Sequence, residues 1–168
     1  MALIPTRNIL GTRTSACQSG MKTGRTRLDD CFGIPVIFDS ELKVVSQSRG
    51  IWPWKRIFLG PSFAEFPSRE QAAILLHAVG HCKMRHLEKR IAGSWRVLFG
   101  GSALVRLCVA QEYEADAFAA NCGYAVELAK AFSRMELAGS HGGGLHPGTR
   151  NRIERLCRMP QDMGGVGR

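Results

Sequence analysis

No stretch of this 168-residue sequence reaches the roughly 18 uninterrupted apolar residues that a membrane-spanning helix requires. The longest candidate, IAGSWRVLFGGSALVRLCVA, is broken by Arg96 and Arg106. The start, MALIPTRNIL, has no apolar core long enough for a secretory leader, so a soluble, cytoplasmic chain is expected, ahead of organellar import. The six cysteines (Cys17, Cys31, Cys82, Cys108, Cys122 and Cys157) contain no C-x-x-C pair. Cys82, Cys108 and Cys122 fall inside helical patterns, which favours free thiols over disulfides. Acid is also scarce: 14 Asp and Glu stand against 23 Lys and Arg, a net charge of +9. Residues 1–28 have no acid at all but carry Arg7, Arg13, Lys22, Arg25 and Arg27 among Thr, Ser and Gly, the composition of a mobile basic arm.

The remaining composition, 45% apolar, is enough for one domain with a buried core. IPVIFDSELKVV and KRIFLGPSF are β-rich runs separated by a Gly50/Pro53 turn, and they predict two or three short strands. A helix is predicted from about Arg69 to Ala92, with Ser68 as N-cap and Gln71 as its capping-box partner. Further helices are expected in SALVRLCVAQEYEADAFAANCG, YAVELAKAFSRMELAG and TRNRIERLCRM. The fold expected is therefore α+β and predominantly helical, with a small sheet packed on the first long helix. Residues 1–30 would be a flexible arm, 31–159 the domain and 160–168 a disordered tail.

Chemistry concentrates in the first long helix. His77 and His81, in LLHAVGHCKMRH, are four residues apart and lie within about 40° of each other around a helix, so both imidazoles can face one ion. This is the spacing of the H-E-x-x-H zinc motif, but Ala78 stands where that motif has glutamate. A histidine pair by itself leaves a metal site and a chance pairing both open. In QEYEADAFAA, Glu112 and Asp116 are also four apart, so a crossing helix could offer Glu112 as third ligand while Asp116 accepts the free ring N–H of His77. The alternative is a solvated acidic face. Two histidines and a glutamate leave a tetrahedral zinc one position for water, the pattern of a catalytic rather than a structural site. On a continuous helix His86 would point about 180° away from His77 and Cys82 about 100° away from His81, so neither is expected at the metal.

Taken together, ILLHAVGHCKMRH, EYEADAFAA and HPGTRNRIERL resemble, in order and style, the HtpX-like zinc metallopeptidases, a group that includes the CAAX prenyl endopeptidases. The resemblance runs from about Ile34 to Leu156. It implies a zincin-like, gluzincin-type domain holding one catalytic Zn2+ through His77, His81 and Glu112, with Asp116 as orienting residue. It further implies that His146 or Arg152 approaches the site to contact substrate or stabilise an oxyanion. Well-known members are integral membrane proteins, whereas the stretch from Gly93 to Ala110 is short and carries arginines here. The chain thus resembles a minimal soluble member.

In such enzymes the glutamate after the first histidine takes a proton from zinc-bound water and later passes it to the leaving amine. Alanine does neither, so position 78 predicts an inactive form of a zinc endopeptidase with its ligands retained. Retention of the rest of the motif set favours replacement of a glutamate by design. The substrate expected is a peptide or protein, potentially the chain's own basic arm. The alternatives are a natural pseudo-peptidase that binds zinc and peptide without cleavage, or a basic protein contacting nucleic acid or an anionic surface. The latter would use Lys83, His86 and Arg90, read as lying opposite the histidine face, and Arg150, Arg152, Arg155 and Arg158 of the last helix. No RRM, zinc-finger or helix-turn-helix signature supports base reading. RIFLG is the expected substrate-binding edge strand. His141 has no motif support, and Cys17 is a remote candidate for a fourth ligand.

Overall fold

The computed structural model describes residues 24–94, 102–138 and 147–159. The N-terminal arm before residue 24, the tail from residue 160, Cys17, His141 and His146 lie outside the described residues. Within them the chain is α+β and predominantly helical, as expected. Four strands, β1 (Arg25–Arg27), β2 (Val36–Asp39), β3 (Ser46–Arg49) and β4 (Arg56–Leu59), form one sheet in the order β1-β2-β4-β3. β1 and β2 are antiparallel, β2 and β4 parallel, and β3 and β4 antiparallel, with Ser48 opposite Ile57.

Composition explains the order. Val36, Ile57, Phe58 and Leu59 are buried, so the two β-branched and aromatic strands take the centre. The polar RTR and SQSR strands, which have no apolar side chains to bury, take the two edges. Two expectations change. Arg25–Arg27, read as part of the arm, is a sheet strand. RIFLG, read as the edge strand, is central, and β3 is the edge that packs beside the first helix, with the Ser48 hydroxyl donating to the Ala78 carbonyl at 2.9 Å.

Helix α1 (Ser68–Lys83) runs through the middle of the protein. One side packs on the sheet through Ile74, Leu75 and Val79 against Val36, Ile57 and Leu59. The other packs through Ala73 and Leu76 against Leu128, Phe132 and Leu156 of α4 (Ala125–Leu137) and α5 (Thr149–Arg158). The expected capping box does not form. Pro67 occupies the cap position, and Gln71 reaches back, its Nε2 donating to the carbonyls of Phe63 and Phe66 at 3.2 and 2.9 Å. Those acceptors belong to the 3-10 turn Pro61–Glu65 and its end, where the Phe63 carbonyl also accepts from the Phe66 backbone N–H at 3.3 Å.

The predicted continuous helix to Ala92 is also broken. Arg85 takes left-handed backbone (φ 58°, ψ 41°), and a separate helix α2 (His86–Gly93) starts after it. A cation waits at the break. Buried Lys55 donates its ammonium to the Cys82 carbonyl and pairs with Glu88 of α2 at 2.9 Å, which neutralises the negative end of α1 and ties α2 to it. Helix α3 (Ser102–Ala119) crosses α1, and a turn of π-helix (Ala120–Tyr124) with Gly123 at φ 86° leads into α4. No described helix is long and apolar enough to cross a membrane. All five described cysteines are free.

Candidate metal centre

The α1–α3 crossing builds the site, and its closeness depends on Gly80. A Cβ there would stand 3.1 Å from both Ala115 Cα and Phe118 Cβ, tighter than most packed methyl contacts, so α3 would have to give by a few tenths of an ångström. With hydrogen at that position, α3 comes in close, and Glu112 and Asp116, either side of Ala115, meet the histidine face of α1. The Nε2 atoms of His77 and His81 are 3.1 Å apart. Glu112 Oε2 lies 3.6 Å from His77 Nε2, and Oε1 lies 3.5 Å from His81 Nε2. Donors about 2.0 to 2.2 Å from a tetrahedral zinc stand about 3.3 to 3.6 Å from one another. The triangle of His77, His81 and Glu112 has edges close to that spacing, and its ligand atoms fall within 4.8 Å of one another, so these residues fit a metal ion.

Behind this triangle is a buried layer of charge. Asp116 is 1% exposed, and its Oδ1 approaches His77 Nδ1 at 3.0 Å, the contact expected of an orienting residue, though oblique to the ring N–H. Arg152 grips Asp116 with two bonds, Nε to Oδ2 at 2.8 Å and Nη2 to Oδ1 at 2.6 Å. Its Nη1 lies 3.4 Å from Glu112 Oε2, and its guanidinium stacks 4.0 Å over the Phe132 ring. Arg152 therefore comes to the site, as the sequence suggested, but as the anchor of Asp116. Two of its nitrogens are committed there, while the residue also lines the cleft above the triangle. Arg90 adds a second cation, with Nη2 3.4 Å from Glu112 Oε1.

These contacts set the charges. Burial lowers the proton affinity of His77, but the Asp116 and Glu112 carboxylates outweigh it and raise the pKa. Burial dominates at His81, pushing it down to about 4. Burial would raise Asp116, yet the Arg152 guanidinium and His77 hold it below the usual carboxylate range. The lone pairs a metal needs are thus offered more readily by His81 than by His77, whose acidic neighbours favour its protonated form.

A cleft of about 940 Å³ opens over the triangle. Ser46 and Ser48 of the edge strand β3 form one wall, Leu128 and Phe132 of α4 another, and Ala78 lines it beside His77. Position 78 therefore faces the cleft beside the triangle, and its methyl group offers no proton acceptor.

Sequence reasoning missed His86, Arg90, Gln111 and Glu114. His86 is 1% exposed and lies against His81, Nδ1 to Nδ1 at 2.8 Å, not on the opposite face. Arg90 turns inward too, its Nε donating to Gln111 Oε1. The cause in both cases is the left-handed Arg85, which restarts the helix in a new direction, and nothing in CKMR marks it. On the last helix Arg150, Arg155 and Arg158 stay exposed, Arg155 stacking on Tyr113 and Arg150 and Arg158 flanking Glu154, while Arg152 is buried at the site. Comparison of the chain with models of protein families, with curated proteins and with solved structures returned no match.

Proposed function

We propose that this chain carries the zinc site of a metallopeptidase with a zincin-like domain, in a form that keeps metal and substrate binding but lacks the base for hydrolysis. The observation that carries this reading is the His77, His81 and Glu112 triangle, with edges of 3.1, 3.5 and 3.6 Å, at the floor of a cleft. Three protein ligands leave a fourth position for water, the coordination pattern of catalytic zinc. Bound there, zinc would polarise a water molecule and a peptide carbonyl.

The chain's own residues do the remainder. Glu112 and the two imidazoles hold the ion, Asp116 orients the His77 ring, and Arg152 keeps Asp116 ionised and in position. The edge strand β3 offers backbone groups along the cleft wall for pairing with an extended peptide. Ala78 offers no carboxylate to take the water's proton, and loss of general-base catalysis costs about 10²- to 10⁴-fold in rate.

The test is Ala78→Glu. With zinc the variant is expected to cleave an unfolded protein such as casein, a chelator to stop it, and the chain with Ala78 to cut at least 100-fold more slowly. Ala78 itself favours one second reading, a peptide-binding pseudo-peptidase: zinc bound by Ala78→Glu with no cleavage of any chain would select it. Absence of stoichiometric zinc binding by either protein would refute both.

A further inference from the structure

A chain of hydrogen bonds leaves the metal triangle on the side away from Asp116. His81 Nδ1 lies 2.8 Å from His86 Nδ1, and His86 Nε2 lies 3.0 Å from Glu114 Oε2. His86 is 1% exposed, whereas the Glu114 side chain is half-exposed. The position of His86 is fixed from two sides: the left-handed Arg85 turns it inward, and Gln111 Nε2 donates to its backbone carbonyl at 3.2 Å.

The proton positions along this chain are determined by what each group can do. A carboxylate only accepts, so the proton between His86 and Glu114 belongs to His86 Nε2. A neutral imidazole carries one N–H, so His86 Nδ1 is an acceptor. The short contact with His81 then requires the proton to be on His81 Nδ1, and the lone pair of His81 is left on Nε2, the atom that faces His77 and Glu112.

We propose that His86, held by Glu114, is a positioning residue that fixes His81 in the Nδ1–H tautomer and aims its Nε2 lone pair into the metal triangle. This rests on the metal-site reading above. It also makes the two histidine ligands unalike. His77 is backed by a buried carboxylate locked to Arg152, and His81 by a second imidazole whose own carboxylate reaches solvent. Outer partners of metal-bound histidines contribute about 10- to 100-fold in metal affinity.

The experiment measures Zn2+ affinity by chelator competition, the Co2+ absorption spectrum, and the 15N tautomer state of His81 in the metal-free, full-length protein. Three variants are compared with the parent. His86→Phe fills the volume but cannot accept a proton. His86→Asn keeps an acceptor near the Nδ1 position. Glu114→Ala alters the half-exposed end of the chain and a surface pair with Lys89 at 3.7 Å, so it reports even if His86→Phe does not fold. The expected result is Nδ1–H at His81 in the parent, a loss of about 10- to 100-fold in zinc affinity for His86→Phe with an altered Co2+ spectrum, and a loss near the lower end for Glu114→Ala. His86→Asn is expected to recover most of the parent's affinity. The proposal is overturned if metal-free His81 carries its proton on Nε2, if Phe and Asn at position 86 weaken zinc equally, or if folded variants bind as the parent does. A parent that binds neither zinc nor cobalt sinks the metal reading instead, and the tautomer measurement still decides whether His86 holds His81 as described.

Discussion

Replacing Arg152 by methionine isolates the buried charge layer behind the site. Methionine keeps most of the volume against Phe132 and removes the guanidinium, so Asp116, 1% exposed, loses its paired cation and Glu112, 3% exposed, loses one of two, Arg90 remaining at 3.4 Å. Two charge-assisted bonds at 2.6 and 2.8 Å disappear together. Bonds to charged groups contribute about 1.5 to 3 kcal/mol each, and breaking a buried ion pair from one side costs about 3 to 5 kcal/mol. The two figures agree, and the lower range is preferred because Asp116 can relieve the strain by taking up a proton. For a chain of this size each kcal/mol moves the melting midpoint by about 2 to 4 °C, so a fall of roughly 6 to 20 °C is expected in chelator-treated protein.

The sign with pH follows from the depressed pKa of Asp116. Its stabilising contribution is complete above the ordinary aspartate value and is lost as pH falls through the folded value. The gap between parent and Arg152→Met is therefore widest near neutrality and closes in acid. Arg152→Lys should fall between the two, since an ammonium keeps the charge but not the fork. Urea titrations at pH 7 giving Arg152→Met within 1 kcal/mol of the parent, or a gap that widens in acid, would refute the reasoning.

Gly80→Ala gains about 1 kcal/mol of helix propensity but forces a methyl into backbone and side-chain atoms 3.1 Å away. Overpacking of this kind costs about 1 to 3 kcal/mol, so a net loss in urea stability is expected, together with weaker metal binding because Glu112 is carried outward. An unchanged zinc affinity would show that the close crossing is not what sets the triangle. Burial works to raise the Glu88 carboxyl, but the Lys55 ammonium at 2.9 Å outweighs it and brings the pKa to about 2. That contribution is present above the ordinary glutamate value and is lost as pH falls toward 2. The parent's stability advantage over Glu88→Gln should accordingly shrink from about pH 4.5 downward, and an advantage constant to pH 2.5 in chemical denaturation would count against the pairing.

Much of the site could be read from spacing alone, because helical periodicity relates residues within one element. His77 with His81, and Glu112 with Asp116, each sit one turn apart and share a face wherever the helices go. The buried strands VIFD and RIFL announce themselves through β-branched and aromatic residues in the same way. The failures have a common origin. Ser68 and Gln71 form a capping box by pattern, but Gln71 finds better acceptors in the preceding turn, which sequence separation does not reveal. RIFLG looks like an edge because it abuts the helix in sequence, while edge or centre is a property of which strands pair.

His86 marks the boundary most sharply. Local periodicity over LLHAVGHCKMRH determined that two imidazoles could face one ion, and that Ala78 would leave them without a base. Whether a third imidazole joined them depended on a break at Arg85, held by Lys55, just before β4, and by Gln111 from α3, both distant in sequence. Gly80 carries the same lesson, since its missing Cβ has meaning only once α3 lies against it. Backbone periodicity is a short-range property that the order of residues encodes directly. Helix breaks, helix crossings and buried charge partners are decided by long-range contacts, and only the tertiary structure contains them.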